Sequence, residues 1–212
     1  MTKPSITKAR IIDKAVELAQ KSSWESFSLM QLVQSLDSSM LELKSNYRSK
    51  DDLAEALFDR ADEAMLKITS QEDFYALSSD EKLLRCIMSW FESMLAYKGV
   101  MREILTYKLE PGHFHLQAHG ITRISRTVQW FREAACREHT GLNRIADEIA
   151  VTGAYLAAFS FFLVDRSPQH TNTRALLKGL IAKINQANHL LARIGGKKQP
   201  VSDDGNNQKS VL

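Results

Sequence analysis

The chain has 212 residues, a net charge of +3 and a quarter of its residues charged, enough to bury a full core and too little excess charge for a nucleic-acid binder held by bulk electrostatics alone. Four prolines and nine glycines leave room for long helices, and no sustained period-two runs of β-branched residues occur, so the expected fold class is all-α. The two cysteines, Cys86 and Cys136, form no CxxC pair and fit a reducing compartment; the N-terminus has no apolar signal-type core, so the expected location is cytoplasmic.

The first helix is expected from about Thr7 to Lys21, with Ile12, Ala15, Val16 and Ala19 inward and Trp24 and Phe27 plugging a small core behind it. Leu29, Leu32, Val33 and Leu36 then fall at i, i+3, i+4 and i+7, one apolar helical face with Ser28 as N-cap. Asp37, Ser38 and Ser39 break the pattern, and Met40 to Tyr47 resumes it with Ser39 as the next cap. Two caps so close describe a helix-turn-helix, whose second helix can enter a major groove. Ser49 caps a further helix whose Asp51 and Asp52 suit its positive end, with a stripe of Leu53, Leu57, Ala61, Ala64 and Ile68.

Residues 70–77 read as a loop. A helix follows from Ser78, Ser79 and Asp80 to about Tyr97, stopped by Lys98-Gly99, then a short one from Val100 to Leu109 before Pro111-Gly112. A long helix is expected from His113 to His139, bent or restarted at Gly120. Asn143 to Asp165 is the most apolar helix, and Thr171 to Ile194 the last. The uncharged run from Ile149 to Val164 is sixteen residues, short for a membrane span, and no membrane partner is expected. The polar end beyond Gly195 reads as a disordered tail. This divides the chain into a DNA-binding unit at 1–50, a helical ligand-binding and dimerisation unit at 51–195, and a tail at 196–212.

The segment from Thr7 to Leu57 resembles the N-terminal domain of TetR-family transcriptional regulators. The residues that carry the resemblance are Arg10 to Leu18, then Ser28-Leu29, then Ser39 with Leu43, Tyr47, Ser49, Lys50 and Leu53. Asp165 to Pro168 followed by Thr173 also resembles the turn between the family's last two helices. The resemblance implies a homodimer built on those two helices, a palindromic double-stranded operator, a small-molecule ligand in the larger unit and a repressor. Major-groove reading needs donors to phosphate and groups that match base edges. The candidate DNA-contacting set is Ser28, Gln31, Ser39, Met40, Glu42, Lys44, Ser45, Asn46, Tyr47 and Lys50, with Lys3, Lys8 and Arg10 as additional phosphate contacts.

Several positions depart from the family pattern. Asp37 stands where glycine is usual, and Asp tolerates the left-handed backbone required there. Leu41 replaces a small residue, Glu42 a hydroxyl residue, Lys44 a phosphate-binding tyrosine and Met40 a common lysine. These departures open an alternative, a TetR-fold protein that resembles the lipid-binding proteins of ubiquinone biosynthesis and holds a lipid or isoprenoid instead of DNA.

The helix from Asn143 is apolar nearly all round, so it must be covered on more than one side. Gly153, Ala154, Ala157 and Ala158 would permit close approach of a second copy. Met88, Phe91, Met94, Ile104, Ile124, Phe131, Tyr155 and Phe159 are the candidate lining for an apolar small molecule, with Arg85, Tyr97, Arg123 or Gln129 to orient a polar head. His113, His115 and His119 lack a cysteine or carboxylate at short ligand spacing, so no metal is expected. No nucleophile elbow, phosphate loop, dinucleotide fingerprint or HExxH motif occurs, so neither cofactor nor enzymatic activity is expected.

Overall fold

The computed structural model describes residues 6–109 and 114–195. These are all-helical, with ten α-helices and two 3₁₀ turns. The histidine cluster at 113–119, Lys3 and the segment from 196 onward lie outside the described residues or side chains.

Helix α1, Lys8–Lys21, is capped by Thr7, whose side chain accepts from the Arg10 amide, and it turns Ile11, Ile12, Ala15, Val16 and Ala19 inward. Helices α2, Leu29–Ser35, and α3, Met40–Asn46, form the helix-turn-helix. Helix α4, Lys50–Ile68, starts under this unit and runs on into the rest of the chain, burying Leu53, Leu57, Phe58, Ala61 and Met65. One hydrophobic core therefore continues from Leu32 and Leu43 through Leu57 to Trp90.

Three stretches differ from the sequence expectation. Residues 70–77 contain a one-turn helix, α5, Glu72–Tyr75, anchored by the buried Phe74. Helix α6, Ser79–Glu92, ends early, and a 3₁₀ turn at Leu95–Tyr97 brings Met94 and Tyr97 into the core. Lys98-Gly99 is not a stop but the first turn of α7, Lys98–Leu109. Val100, Met101 and Ile104 form its buried face. Near a helix start a glycine sacrifices little, because the first amides lack intrahelical partners anyway.

Helix α8, Phe114–Ala134, runs through Gly120 without a break and ends five residues before His139. Its end is set by Cys136, in the left-handed region at φ 53°, with the Arg137 amide donating to the Arg132 carbonyl. This is a Schellman closure made without glycine, and it swings Arg137 back toward α9.

Helix α9, Gly141–Val164, packs most extensively on α10, Thr171–Gly195, and also meets α6, α7 and α8. At 24 residues it is long and apolar enough to cross a membrane by length and composition, a test that the core helix of a soluble protein also passes, and its uncharged part is the sixteen residues from Ile149 to Val164. Its inward stripe is Asp147, Val151, Ala154, Tyr155, Ala158, Phe159 and Phe162. Ala154 and Ala158 thus face the chain's own core, and only Gly153 and Ala157 of the expected small-residue contact are exposed. The reason is periodicity, because residues 154 and 158 lie between the aromatic rings that fill the interior. The outward face carries Ile149, 68% exposed, and Val164, 62% exposed.

Between α9 and α10 the chain turns through a 3₁₀ segment, Pro168–His170. Asp165 organises this turn. One carboxylate oxygen accepts from the Ser167 amide at 2.8 Å, and the other accepts from the Thr173 amide at 3.0 Å and hydroxyl at 2.6 Å.

Candidate nucleic-acid interface

The helix-turn-helix is fixed by local capping. Ser28 and Gln31 form a reciprocal capping box, with the Gln31 amide donating to the Ser28 hydroxyl at 3.1 Å and the Ser28 amide to Gln31 Oε1 at 2.8 Å. Asp37 takes the left-handed conformation at φ 52° that the turn requires. Ser39 caps α3, accepting from the Glu42 amide at 3.1 Å. Ser49 caps α4 by accepting from the Asp52 amide at 3.1 Å, and Asp52 accepts in turn from the Arg48 amide at 2.8 Å. Leu43 is buried against the core that holds Leu32, Val33 and Leu36. That inward anchor defines the outer face of α3 as Met40, Leu41, Lys44 and Ser45.

Arg48, directly after α3, and Lys8 and Arg10 in the first turn of α1 are exposed as well. Arg48 was not among the sequence candidates; its position between Tyr47 and the Ser49 cap, directly after the second helix, is the signal that would have found it. Tyr47 is half-buried, with the Lys8 ammonium 6.0 Å from its ring centroid, and burial pushes its phenol pKa up.

Several candidates have in-chain roles. Glu42 Oε1 accepts from the Ile6 amide at 2.9 Å and Oε2 from the Ser38 hydroxyl at 2.7 Å. It ties the entry of α1 to the turn, which replaces the expectation of a carboxylate aimed at DNA. The Ser45 hydroxyl and the Asn46 amide both donate to the Glu42 carbonyl, at 2.7 and 3.0 Å. The Lys50 ammonium donates to the carbonyls of Glu25 and Phe27 at 3.1 and 2.6 Å and lies 4.0 Å from the Phe27 ring centroid. Burial lowers its pKa, and it clamps the loop holding Trp24 and Phe27 rather than projecting outward.

In the larger unit, Trp90 stands at the centre of an aromatic cluster with Phe58, Phe91, Phe131, Tyr155 and Phe159 at centroid distances of 5.2–6.4 Å. Of the candidate pocket lining, Met88, Phe91, Met94, Phe131, Tyr155 and Phe159 are buried in this core. Ile104 edges a cleft of about 440 Å³ between the helix-turn-helix unit and α7, and Ile124 borders a groove of about 500 Å³ with Ile145, Ile149 and Leu156. Of the head-group candidates, Gln129 is exposed, Arg85 pairs with Asp73 at 2.7 Å, and Arg123 is buried.

Two buried ionic networks escaped the sequence reading. Asp62 accepts from Trp90 Nε1 at 2.8 Å, from Arg123 at 2.7 Å and from Thr127 at 3.1 Å. Asp147 accepts from Arg132 at 3.0 Å, Arg137 at 2.7 Å and Asn188 at 3.1 Å. Partners so far apart in sequence leave no local spacing signal.

A solved structure with the same arrangement is that of a TetR transcriptional regulator from Nitrosomonas europaea ATCC 19718. It is 37% identical over 83% of this chain and 96% of its own, with a TM-score of 0.74. The chain belongs to the TetR family. A tetR-family regulatory protein from Rhodococcus RHA1 also matches, at 19% identity over 85% of this chain and 97% of its own, with a TM-score of 0.47. No family model matches the sequence, and neither does any protein of curated function.

Proposed function

We propose that this TetR-family protein is a cytoplasmic, homodimeric transcriptional repressor that binds a palindromic DNA operator. The observation that carries the reading is the outer face of α3. A capped helix-turn-helix, anchored inward by Leu43, presents Lys44 and Ser45 outward, and Lys8, Arg10 and Arg48 are exposed in the same N-terminal unit. Basic side chains on phosphates supply affinity and register, and the groove-facing positions supply sequence choice.

Dimerisation is assigned to the exposed face of α9, where Ile149, Leu156 and Val164 join the exposed Gly153 and Ala157. Release by an apolar small molecule is assigned to the helical body behind the helix-turn-helix. Such a ligand acts only if it binds the DNA-competent and DNA-incompetent states with different affinity.

Genomic DNA selection with the purified protein at moderate salt tests the reading. The expected result is recovery of a palindrome bound more tightly than a scrambled duplex. On that operator, Lys44→Ala should weaken all sequences alike and lower the salt slope by about one unit, read by fluorescence anisotropy across salt concentrations. Equal, feeble binding of both duplexes would instead favour a TetR-fold protein that binds a lipid, the reading favoured by the exposed apolar Met40 and Leu41.

A further inference from the structure

The recognition helix has fewer free polar groups than its sequence implies. The Glu42 carboxylate is held by Ile6 and Ser38, and the hydroxyl of Ser45 and the amide of Asn46 both donate to the Glu42 carbonyl. Two of the exposed residues of α3 are apolar. Leu41 is 80% exposed and Met40 42% exposed, and Lys44 lies one turn from both on the same face. Exposed Arg48, Lys8 and Arg10 give the surroundings the charge that suits phosphate.

Among the groups that base edges offer in a major groove, one is apolar, the C5 methyl of thymine. We infer that Leu41, flanked by Met40, reads thymine methyl groups, so that the protein selects thymine at a fixed position of each half-site through apolar contact. The inference rests on the operator-binding reading above. Lys44 supplies the neighbouring phosphate contact, and the helix backbone stays fixed by Glu42 and Ser39. Bulk at position 41 is then the reading group itself.

The test uses the full-length dimer and the operator recovered by selection. Each thymine is replaced in turn, in both half-sites, by deoxyuridine, which keeps base pairing and lacks only the methyl. Affinity is read by fluorescence anisotropy. At the position read by Leu41, the substitution should weaken binding about fourfold per methyl and about fifteenfold for the symmetric pair. Leu41→Ala should weaken the thymine operator and abolish the thymine–deoxyuridine difference there, and Met40→Ala should do so at a neighbouring position. Both side chains are outside the core, so thermal melts of the variants should match the parent. If no thymine discriminates while the operator still outcompetes a scrambled duplex, the inference falls and the operator-binding reading stands. Discrimination that survives in both alanine variants also overturns it. If no operator is preferred and the protein instead sediments with phosphatidylglycerol vesicles in a Leu41-dependent way, inference and reading fall together.

Discussion

Glu42 illustrates how a single side chain changes role once its partners are known. Its carboxylate accepts from the Ile6 amide and the Ser38 hydroxyl, so it locks the start of α1 onto the turn of the helix-turn-helix. Glu42→Ala leaves both donors without that acceptor. The expected cost is about 1.5–3 kcal/mol in urea unfolding. Operator affinity should fall by a similar factor for every sequence, because the frame is loosened and no base is left unread. A change in base preference without loss of stability would contradict this role. Asp147 has a comparable position in the larger unit. It is fully buried and surrounded by Arg132, Arg137 and Asn188. Asp147→Ala would leave two buried guanidinium groups short of a partner, with an expected loss of about 3–5 kcal/mol. Burial alone would raise the Asp147 pKa, but the hydrogen bonds from Arg137 and Arg132 outweigh it and hold the carboxyl below its ordinary value. A carboxyl whose folded pKa is depressed contributes fully above its unfolded pKa, about 3.9, and loses that contribution as pH falls through the folded value. The stability gap between parent and Asp147→Asn should therefore be widest near neutral pH and shrink from about pH 4 downward. Asp62 has the opposite sign, since burial outweighs Arg123, Trp90 and Thr127 and raises its pKa. Its contribution is present in acid and lost as pH rises through that raised value.

At the scale of one element, α9 carries two incompatible demands. Its inner stripe fills the aromatic interior, and its outer stripe leaves Ile149, Leu156 and Val164 in water. A helix apolar on both sides needs cover on both sides. Two substitutions separate the faces. Ile149→Glu should leave the monomer's melting temperature nearly unchanged and shift sedimentation from dimer to monomer. Ala158→Glu would place a carboxylate inside the core and should cost several kcal/mol, unfolding the chain before any dimer question arises. A parent that is already monomeric at micromolar concentration, or an Ile149→Glu variant that stays dimeric, would overturn this assignment.

Across the whole molecule, the helix-turn-helix unit is wired to the body through α7 and the 3₁₀ turn before it. Glu103 accepts from the Trp24 amide at 2.6 Å, the Gln20 side chain donates to the Ala96 carbonyl at 2.7 Å, and buried Lys108 bridges Asp51 and Glu55 of α4 at 2.8 and 2.7 Å. A shift of α7 against α4 would therefore move α1 and the helix-turn-helix with it, and on the proposed function this is the route by which a ligand in the body would change the spacing of the two recognition helices. Half-sites one turn apart need those helices separated by about 34–36 Å.

What the sequence determined by itself is local. Capping residues and apolar periodicity at Ser28, Ser39 and Ser49 marked the helix-turn-helix, because those signals act within one turn of the chain. Asp37 carried its left-handed turn in its residue type. The Asp165 to Thr173 turn was legible through its resemblance to the turn between the family's last two helices. Tertiary structure decided which polar groups remained available. Glu42 meets Ile6 across 36 positions, Lys50 meets Phe27 across 23, and Arg123 meets Asp62 across 61. It also decided which small residues of α9 face inward, since the register of a helix that is apolar all round is set by the rings it packs against. Periodicity tells how a helix can turn its faces; only the neighbours that cover them fix which face goes where.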